Sequence, residues 1–269
     1  MDPLKVIERA YSSKLRIEER DGKTVIIKSV DAQERKNEIA FHELLHQLGM
    51  PFMEVHEEQM DLVITFLEDS ETLGDSETRE RYIQLGRALK TLHAQEYQAP
   101  FWIDAQGEKH AIEWMDFIKK QIEYCRARQQ ERQGISKNTV QRVIEIIAQI
   151  PRSRRVVPIH GDLHANNVLI QDDRMYLFDK ADQIFVGDPM YDLSLFGITL
   201  PGIYGIGAQT EKDTELMNAL MEGYGENILN DRETFDRYAL LRALERWPNP
   251  FEQEIPELVN TILERLARS

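Results

Sequence analysis

This 269-residue sequence has only one cysteine, Cys125, and no long apolar run. A single cysteine cannot form an internal disulfide, which is the usage expected in a reducing compartment such as the cytoplasm. A membrane span needs about 20 consecutive apolar residues, so we expect none. The first residues, MDPLKVIERAYSS, lack the apolar core of a signal peptide. We therefore expect a cytoplasmic protein.

Positive charge is also scarce. The sequence has 33 Lys and Arg against 47 Asp and Glu, a formal net charge of -14. Nucleic-acid binding depends on a basic surface, so we expect no nucleic-acid partner. The acidity is compatible with a cationic substrate, although acidic surfaces more commonly serve solubility.

The hydrophobic pattern changes along the chain. Residues 12–30 predict two strands around Asp21-Gly22, a dipeptide favoured in tight hairpin turns. Residues 31–49 then predict an amphipathic helix with Gly49 as its C-terminal cap, and residues 52–67 predict two more strands. From about Ser76 onward helical patterns predominate. The prediction is an α+β fold, divided within the acidic stretch 68–76.

A polar segment lies between two apolar runs in VVPIHGDLHANNVLI, residues 156–170. The flanks predict short buried strands, and the following run RMYLFD predicts another strand that ends in Asp179. Strand ends would then bring Asp162, Asn167 and Asp179 together. Phosphoryl transfer uses these residue types, because a carboxylate accepts the hydroxyl proton while an amide oxygen and a second carboxylate hold Mg²⁺.

HGDLHANNVL and the later LFDKADQIFVGDPMYDLSLF resemble the catalytic core of the aminoglycoside phosphotransferase and choline kinase superfamily. The resemblance implies a two-lobed protein-kinase-like fold. Residues 1–70 would form a small antiparallel nucleotide-binding lobe with one helix, and residues 71–269 a mainly helical lobe with the catalytic loop and acceptor site. It also implies an ATP-dependent kinase that uses Mg²⁺ and phosphorylates a small-molecule hydroxyl of the aminoglycoside, amino alcohol or sugar type.

The same resemblance implies roles for individual residues. Asp162 would be the catalytic base, with His160 supporting the loop around it. Asn167 and Asp179 would bind Mg²⁺. Asp188 and Asp192 would brace the loop from behind.

A kinase also needs a lysine for the nucleotide phosphates and an acidic helix residue to position it. Lys28 ends an apolar strand run, and a lysine among apolar neighbours needs a counter-charge. We predict Glu38 as that counter-charge, with Glu34 and Glu43 as rivals. The structural alternative for Lys28 is an edge-strand lysine that prevents aggregation.

Two departures weaken the kinase interpretation. No glycine occurs in ERAYSSKLR, where a phosphate-binding loop is expected, so Ser12 and Ser13 would have to serve instead. Protein kinases have Asp-Phe-Gly at the metal-binding segment, whereas this chain has Asp179-Lys180-Ala181. The runner-up hypotheses are therefore a degenerate kinase-fold protein that binds without transferring, and a protein Ser/Thr kinase.

Other assignments stay open at this level. His160, Asp162 and His164 could be metal ligands of a phosphohydrolase, although no second cluster completes a two-metal site. His42 and His46 share a helix face and are interpreted as partly exposed residues. The backbone of residues 66–68 is a candidate adenine-binding hinge. The candidates for the acceptor pocket are aromatic residues (Trp102, Trp114, Trp247 and Tyr204) and acidic residues (Asp116, Glu222 and Glu245).

Overall fold

The computed structural model describes residues 14–20, 22–128, 135–181, 184–247 and 254–268. Its first element is an antiparallel sheet with the strand order β1-β2-β4-β3. The pairing of Arg20 with Lys23 confirms the predicted hairpin, and Gly22 adopts the positive φ of 74° that a two-residue turn favours. The strands are β1 (Lys14–Arg20), β2 (Lys23–Ser29), β3 (Val55–Glu58) and β4 (Asp61–Thr65).

Helix α1 (Ala32–Gln47) lies between β2 and β3. The Asp31 side chain caps its start by accepting the Glu34 N–H at 2.9 Å. At its end Gly49 has a φ of 67°, and the Met50 N–H reaches back to the Leu45 carbonyl at 2.9 Å. The prediction of Gly49 as the terminating residue is confirmed.

A short connection joins the first sheet to the remainder of the chain. After β4, residues 66–70 lead to β5 (Glu71–Thr72), which pairs with β9 (Val168–Gln171) rather than with the first sheet. β9 also pairs with β10 (Arg174–Leu177), so the sheet order is β10-β9-β5. This sheet holds the polar segment that the sequence singled out.

A third small sheet has the order β7-β6-β11-β8. Its strands have only two or three residues, too few for an alternating pattern, and the sequence did not predict β6, β7 or β11. They are β6 (Phe101–Ile103), β7 (Lys109–Ala111), β8 (Val157–Pro158) and β11 (Val186–Gly187).

The rest of the described chain is mainly helical. Helices α2 and α7 pack backbone to backbone: a Cβ on Gly86 would lie 2.2 Å from the Leu220 carbonyl oxygen, and one on Gly223 2.0 Å from that of Ile83. Only glycine permits this approach. The helices are α2 (Arg79–Leu92), α3 (Trp114–Ala127), α4 (Lys137–Ile147), α5 (Pro189–Leu193), α6 (Phe196–Thr199), α7 (Thr210–Tyr224), α8 (Arg232–Arg246) and α9 (Ile255–Leu266).

The architecture is the predicted α+β, two-lobed protein-kinase-like fold: a small antiparallel sheet with one helix, followed by a larger helical part. The apolar face of α1 joins the two, because Phe41 and Leu45 are fully buried in a core that also contains Leu163 and Val168 beside the polar segment. None of the helices in the described ranges combines the length and apolarity needed to cross a membrane.

One assignment on α1 is wrong. His42 is buried rather than partly exposed, while His46 is exposed as expected. The His42 ring accepts the Met53 N–H on Nδ1 at 3.3 Å, so its own proton lies on Nε2, which faces Glu38 Oε1 at 3.4 Å. The helix pattern could not show this, because the burial comes from elements distant in sequence.

Candidate active site

The loop between β8 and β9 is held by a buried carboxylate. Asp192, in the first turn of α5, accepts the His160 N–H at 2.8 Å and the Gly161 N–H at 2.7 Å. His93 lies 3.4 Å away on the same carboxylate. Gly161 has a φ of 83°, a region that suits glycine. The expected bracing by Asp192 is therefore observed, and it fixes the backbone immediately before Asp162.

His160 connects this loop to the end of β10. Its Nε2 donates to the Phe178 carbonyl at 2.7 Å, and its Nδ1 accepts the Asp162 N–H at 3.3 Å. Burial lowers the pKa of this imidazole, which favours the neutral ring that these two bonds require. Since both ring nitrogens are committed to backbone groups, His160 holds the loop in place.

Asn167 lies beside the residue that precedes Asp179, because the Phe178 N–H donates to the Asn167 carbonyl at 3.2 Å. The Asn167 side chain is oriented by its Nδ2, which donates to the Asp162 carbonyl at 2.9 Å. Its amide oxygen is then the atom suited to a cation. An amide oxygen beside a carboxylate is a hard-oxygen donor set that fits Mg²⁺.

Asp179 adopts a left-handed backbone conformation with a φ of 59°. Such a conformation is uncommon for a residue with a side chain and needs support from its surroundings. Glu38 on α1 provides it, because its two carboxylate oxygens accept the Asp179 and Lys180 N–H groups, each at 3.0 Å. Helix α1 thus fixes the backbone of the candidate metal-binding segment.

Lys28 forms the centre of a group that we name the lysine cluster, Lys28, Glu34, Glu38 and Asp179. Its Nζ lies 2.5 Å from Asp179 Oδ1 and 2.6 Å from Glu34 Oε1, and the side chain is 6% exposed. Burial opposes the charged form, but the carboxylates of Asp179, Glu38 and Glu34 raise the pKa of Lys28 above its usual value. Lys28 is therefore a buried, charged ammonium.

The helix residue that forms the ion pair with Lys28 is Glu34, a predicted rival, rather than the predicted Glu38. Glu38 accepts the Asp179 N–H and acts on Lys28 by its charge, without a direct ion pair. Burial would raise the pKa of Glu38, but His42 and Lys28 lower it to about 2. Lys28 also lies on an inner strand of the sheet, which excludes the edge-strand alternative.

Asp162 has cationic neighbours from α8, and we name Asp162, Arg242 and Arg246 the arginine cluster. Arg246 Nη1 lies 2.7 Å and Arg242 Nη2 3.8 Å from Asp162 Oδ1. His164 Nε2 lies 3.7 Å from Oδ2. Desolvation would raise the pKa of this carboxyl, but His164 and Arg246 hold it below its ordinary value. Asp162 is thus an ionised carboxylate, 36% exposed.

The sequence analysis did not single out the two arginines. The available signal was the run LLRALERW, in which Arg242 and Arg246 are four residues apart and so share one face of a largely apolar helix. A charged pair on a buried helix face needs a partner. Nothing local shows that the partner is Asp162, which is 84 positions away from Arg246.

Lys180 is buried and faces away from the candidate metal site. Its Nζ donates to the carbonyls of Ala181 at 2.8 Å and Ile184 at 2.6 Å, and it lies 5.2 Å from the centroid of the Phe185 ring. The lysine that replaces phenylalanine here therefore stabilises its own loop and leaves the neighbourhood of Asp179 to other groups.

The aromatic candidates for the acceptor pocket have packing roles in the structure. Trp114 is buried and donates to the Tyr238 hydroxyl at 2.7 Å, Tyr204 donates to Asp236 at 3.0 Å, and Trp102 stacks on His110. Trp247 is largely buried in the helical core.

The acidic candidates are also engaged. Glu222 pairs with Arg79, and Asp116 with Lys119 at 2.7 Å. Glu245 pairs with Arg242 at 2.5 Å. Ser12 and Ser13 lie outside the described residues. Within the described ranges, no group of three or more His, Cys, Asp or Glu could hold a metal.

Comparison with known proteins agrees with this geometry. A model described as "Phosphotransferase enzyme family" matches residues 4–244. No curated protein matches the chain. Solved structures that resemble it include an aminoglycoside phosphotransferase, APH(4)-Ia, at 16% identity and a TM-score of 0.65, with 98% of this chain and 99% of that chain covered.

Two further structures illustrate the range of relatives. Choline kinase LicA from Streptococcus pneumoniae has 17% identity and a TM-score of 0.62, with 97% of this chain and 85% of that chain covered. Spectinomycin phosphotransferase APH(9)-Ia, in complex with ADP and spectinomycin, has 18% identity and a TM-score of 0.57, with 95% of this chain and 86% of that chain covered. At these identities the likeness shows the fold alone.

Proposed function

Because the chain belongs to the phosphotransferase enzyme family, we propose that it is a Mg²⁺- and ATP-dependent kinase that phosphorylates a hydroxyl of a small molecule. The observation that carries the proposal is the assembly of Asp162, Asn167, Asp179 and Lys28 at one place by a continuous set of hydrogen bonds and ion pairs. The spectinomycin enzyme in complex with ADP is consistent with a nucleotide site in this fold.

The lysine cluster forms the nucleotide side of the proposed site. Bound Mg²⁺ would neutralise phosphate charge and align the phosphates, with Asn167 and Asp179 as its protein ligands. Lys28 is held 2.5 Å from Asp179 and meets the same phosphates. Glu38 keeps Asp179 in its unusual backbone conformation, and Ser12 and Ser13 would supply the phosphate-binding loop.

Asp162 forms the acceptor side. It orients the acceptor hydroxyl and accepts its proton as the new O–P bond forms, a contribution of about 10²- to 10⁴-fold in typical enzymes. Its lowered pKa keeps it in the basic form at neutral pH. His160 is a positioning residue, because neither ring nitrogen is directed at a reactant.

The domain arrangement completes the proposal. Residues 1–70 form the nucleotide-binding lobe, residues 71–269 carry the catalytic loop and the acceptor site, and adenine lies near the backbone of residues 66–68. A cytoplasmic location, with neither nucleic acid nor membrane as partner, belongs to the same hypothesis.

The test is ATP binding by calorimetry, with and without Mg²⁺. We expect Mg²⁺-dependent binding that weakens by at least about tenfold in Asp179→Asn, since even groups that only support metal ligands contribute 10- to 100-fold. The matched control is Asp172→Asn, in the exposed turn between β9 and β10, which should bind like the parent. Absence of binding at millimolar ATP would overturn the proposal and favour the degenerate binding protein.

A further inference from the structure

The arginine cluster places fixed positive charge where the acceptor must arrive. Asp162 is the proposed base, so the acceptor hydroxyl has to approach its carboxylate. Arg246 lies on that same carboxylate at 2.7 Å and is 17% exposed. Both groups therefore border the surface that the acceptor contacts.

We propose that the acceptor carries an anionic group, a carboxylate or a phosphate, a few bonds from its reacting hydroxyl, and that Arg246 binds this group. The inference rests on the proposed function and specifies the substrate class. A guanidinium presents paired N–H donors that match carboxylate and phosphate oxygens. The proposed base, Asp162, and the anion-binding residue, Arg246, are then the two partners of one ion pair.

The two arginines have different roles. Arg242 is 5% exposed and tied to fixed groups: Glu245 at 2.5 Å, the Gly161 carbonyl at 2.6 Å and the face of the Tyr191 ring at 4.1 Å. It fixes the end of α8 to the catalytic loop. Arg246 lies one helical turn later, at the end of the helix and closer to solvent. It is the arginine placed to meet a ligand.

Electrostatics disfavour a cationic acceptor at this position. An ammonium beside Asp162 would also lie beside the charge of Arg246, and like charges brought together cost binding energy. Of the acidic residues considered as amine-binding candidates, Glu222 and Asp116 pair with other cations, and Glu245 is buried against Arg242, whose charge it offsets. The overall net charge of -14 is a property of the whole chain and does not describe this pocket.

The anion also positions the reacting hydroxyl. Arg246 Nη1 lies 2.7 Å from Asp162 Oδ1, so an acceptor held by its anionic group on Arg246 has its hydroxyl beside the carboxylate of Asp162. The acceptor oxygen then attacks the γ-phosphorus, its proton passes to Asp162, and the bond from the γ-phosphorus to the β–γ bridging oxygen breaks, releasing ADP.

The experiment measures ADP release with matched acceptors. The anionic set is 3-hydroxypropanoate, 4-hydroxybutanoate and glycerol 3-phosphate. Its neutral counterparts are the methyl esters of the first two and glycerol, and a cationic set contains 3-aminopropanol and ethanolamine. Each set is assayed with the parent, Arg246→Gln, Arg246→Lys and Arg237→Gln. Arg237 lies on the same helix and pairs with Glu233 away from the site. Mg²⁺-ATP binding and urea unfolding are measured for every variant.

We expect kcat/KM to be at least about tenfold higher for an anionic acceptor than for its neutral counterpart. Arg246→Gln should lower kcat/KM for that acceptor by about 30-fold or more, the range for loss of one partner of a desolvated charge pair. The loss should fall mainly on KM, with partial recovery in Arg246→Lys. Arg237→Gln should behave like the parent. The carboxylate and phosphate arms show which anion is used.

Three results would overturn the inference while the proposed function stands. One is preferential phosphorylation of neutral or cationic acceptors, and another is an equal effect of Arg246→Gln on all acceptors, which would make Arg246 a positioning residue for Asp162. The third is Mg²⁺-ATP binding without ADP release from any anionic acceptor. A parent protein that fails to bind Mg²⁺-ATP would overturn the proposed function and the inference with it.

Discussion

The two ion-pair clusters at the candidate active site have opposite arrangements of charge. In the lysine cluster one buried cation, Lys28, is surrounded by carboxylates from α1 and from the end of β10. In the arginine cluster one carboxylate, Asp162, is bordered by guanidinium groups from α8. The clusters are joined through the backbone that links Asn167 to Phe178.

The contrast indicates which ligand charge each side accepts. Excess carboxylate around Lys28 and Asp179 suits a divalent cation together with the phosphates that it carries. Arg246, the more exposed of the two guanidinium groups beside Asp162, suits an anion, whereas the charge of Arg242 is offset by Glu245. If both clusters had the same arrangement of charge, either the Mg²⁺-nucleotide or the acceptor would approach groups of its own charge. Mutations that remove one central group at a time would show whether the two sides act independently.

The largest expected effect is on the acceptor side. Asp162→Asn should reduce phosphoryl transfer by about 10²- to 10⁴-fold, because the base is lost, while Mg²⁺-ATP affinity changes less than about threefold. ADP release and calorimetry measure the two quantities. Asp173→Asn in the exposed β9–β10 turn is the matched control. Full transfer by Asp162→Asn would exclude this residue as the base.

On the nucleotide side, Lys28→Ala should lower kcat/KM for ATP by about 100-fold, since a charge-assisted contact to phosphate is lost and three carboxylates remain close together. Steady-state kinetics at saturating acceptor measure this. Lys23→Ala, an exposed position on the same strand, should stay within about threefold of the parent. Equal, small effects of both substitutions would mean that Lys28 has only a structural role.

The backbone brace should matter less than either central group. Asp192→Asn replaces one of the oxygens that accept the His160 and Gly161 N–H groups with an N–H₂ donor. We expect a loss of about 1–3 kcal/mol in the free energy of unfolding and about a tenfold decrease in kcat with an unchanged KM for ATP. Urea unfolding and kinetics check both. An unchanged kcat in the destabilised variant would show that the reaction does not depend on this loop geometry.

The smallest effect is a pH dependence of stability from Glu38. Its folded-state pKa is lowered from 4.5 to about 2, so its stabilisation is present in full above about pH 4.5 and is lost as the pH falls toward 2. The stability advantage of the parent over Glu38→Gln should therefore shrink by about 1–2 kcal/mol between pH 5 and pH 3. Urea unfolding over that range measures it.

Glu43→Gln, an exposed position on the same helix, is the matched control for the loss of one carboxylate from α1. A constant difference for Glu38→Gln would mean that the lysine cluster leaves the carboxyl of Glu38 unperturbed in the folded protein.

The catalytic loop could be predicted because its information is local. Asp162, Asn167 and Asp179 are delivered by two strands that pair as neighbours, and the pairing of Leu177 with Val168 sets Asn167 beside Phe178. The spacing of these three residues along the chain was therefore sufficient to predict that they lie close together. Lys28 was identified in the same way, as the one charge at the end of an apolar strand.

Choices between similar side chains could not be made from the pattern. Glu34 and Glu38 are one helical turn apart and both face the site, yet only the position of α1 against β10 assigns the ion pair to one and the backbone contacts to the other. The burial of His42 has the same origin, since Met53 supplies its hydrogen bond.

By itself the sequence determined the first hairpin, the longer strands and helices, and the closeness of the polar residues between β8 and β10, because strand and helix periodicity and short spacings act over a few residues. The tertiary structure alone decided what surrounds those residues. Arg246 reaches Asp162 across 84 positions, and Glu38 reaches the Asp179 backbone across 141. The charge around each side of the site, and with it the proposed class of acceptor, depends on contacts between segments that are far apart in the chain, and no local pattern predicts such contacts.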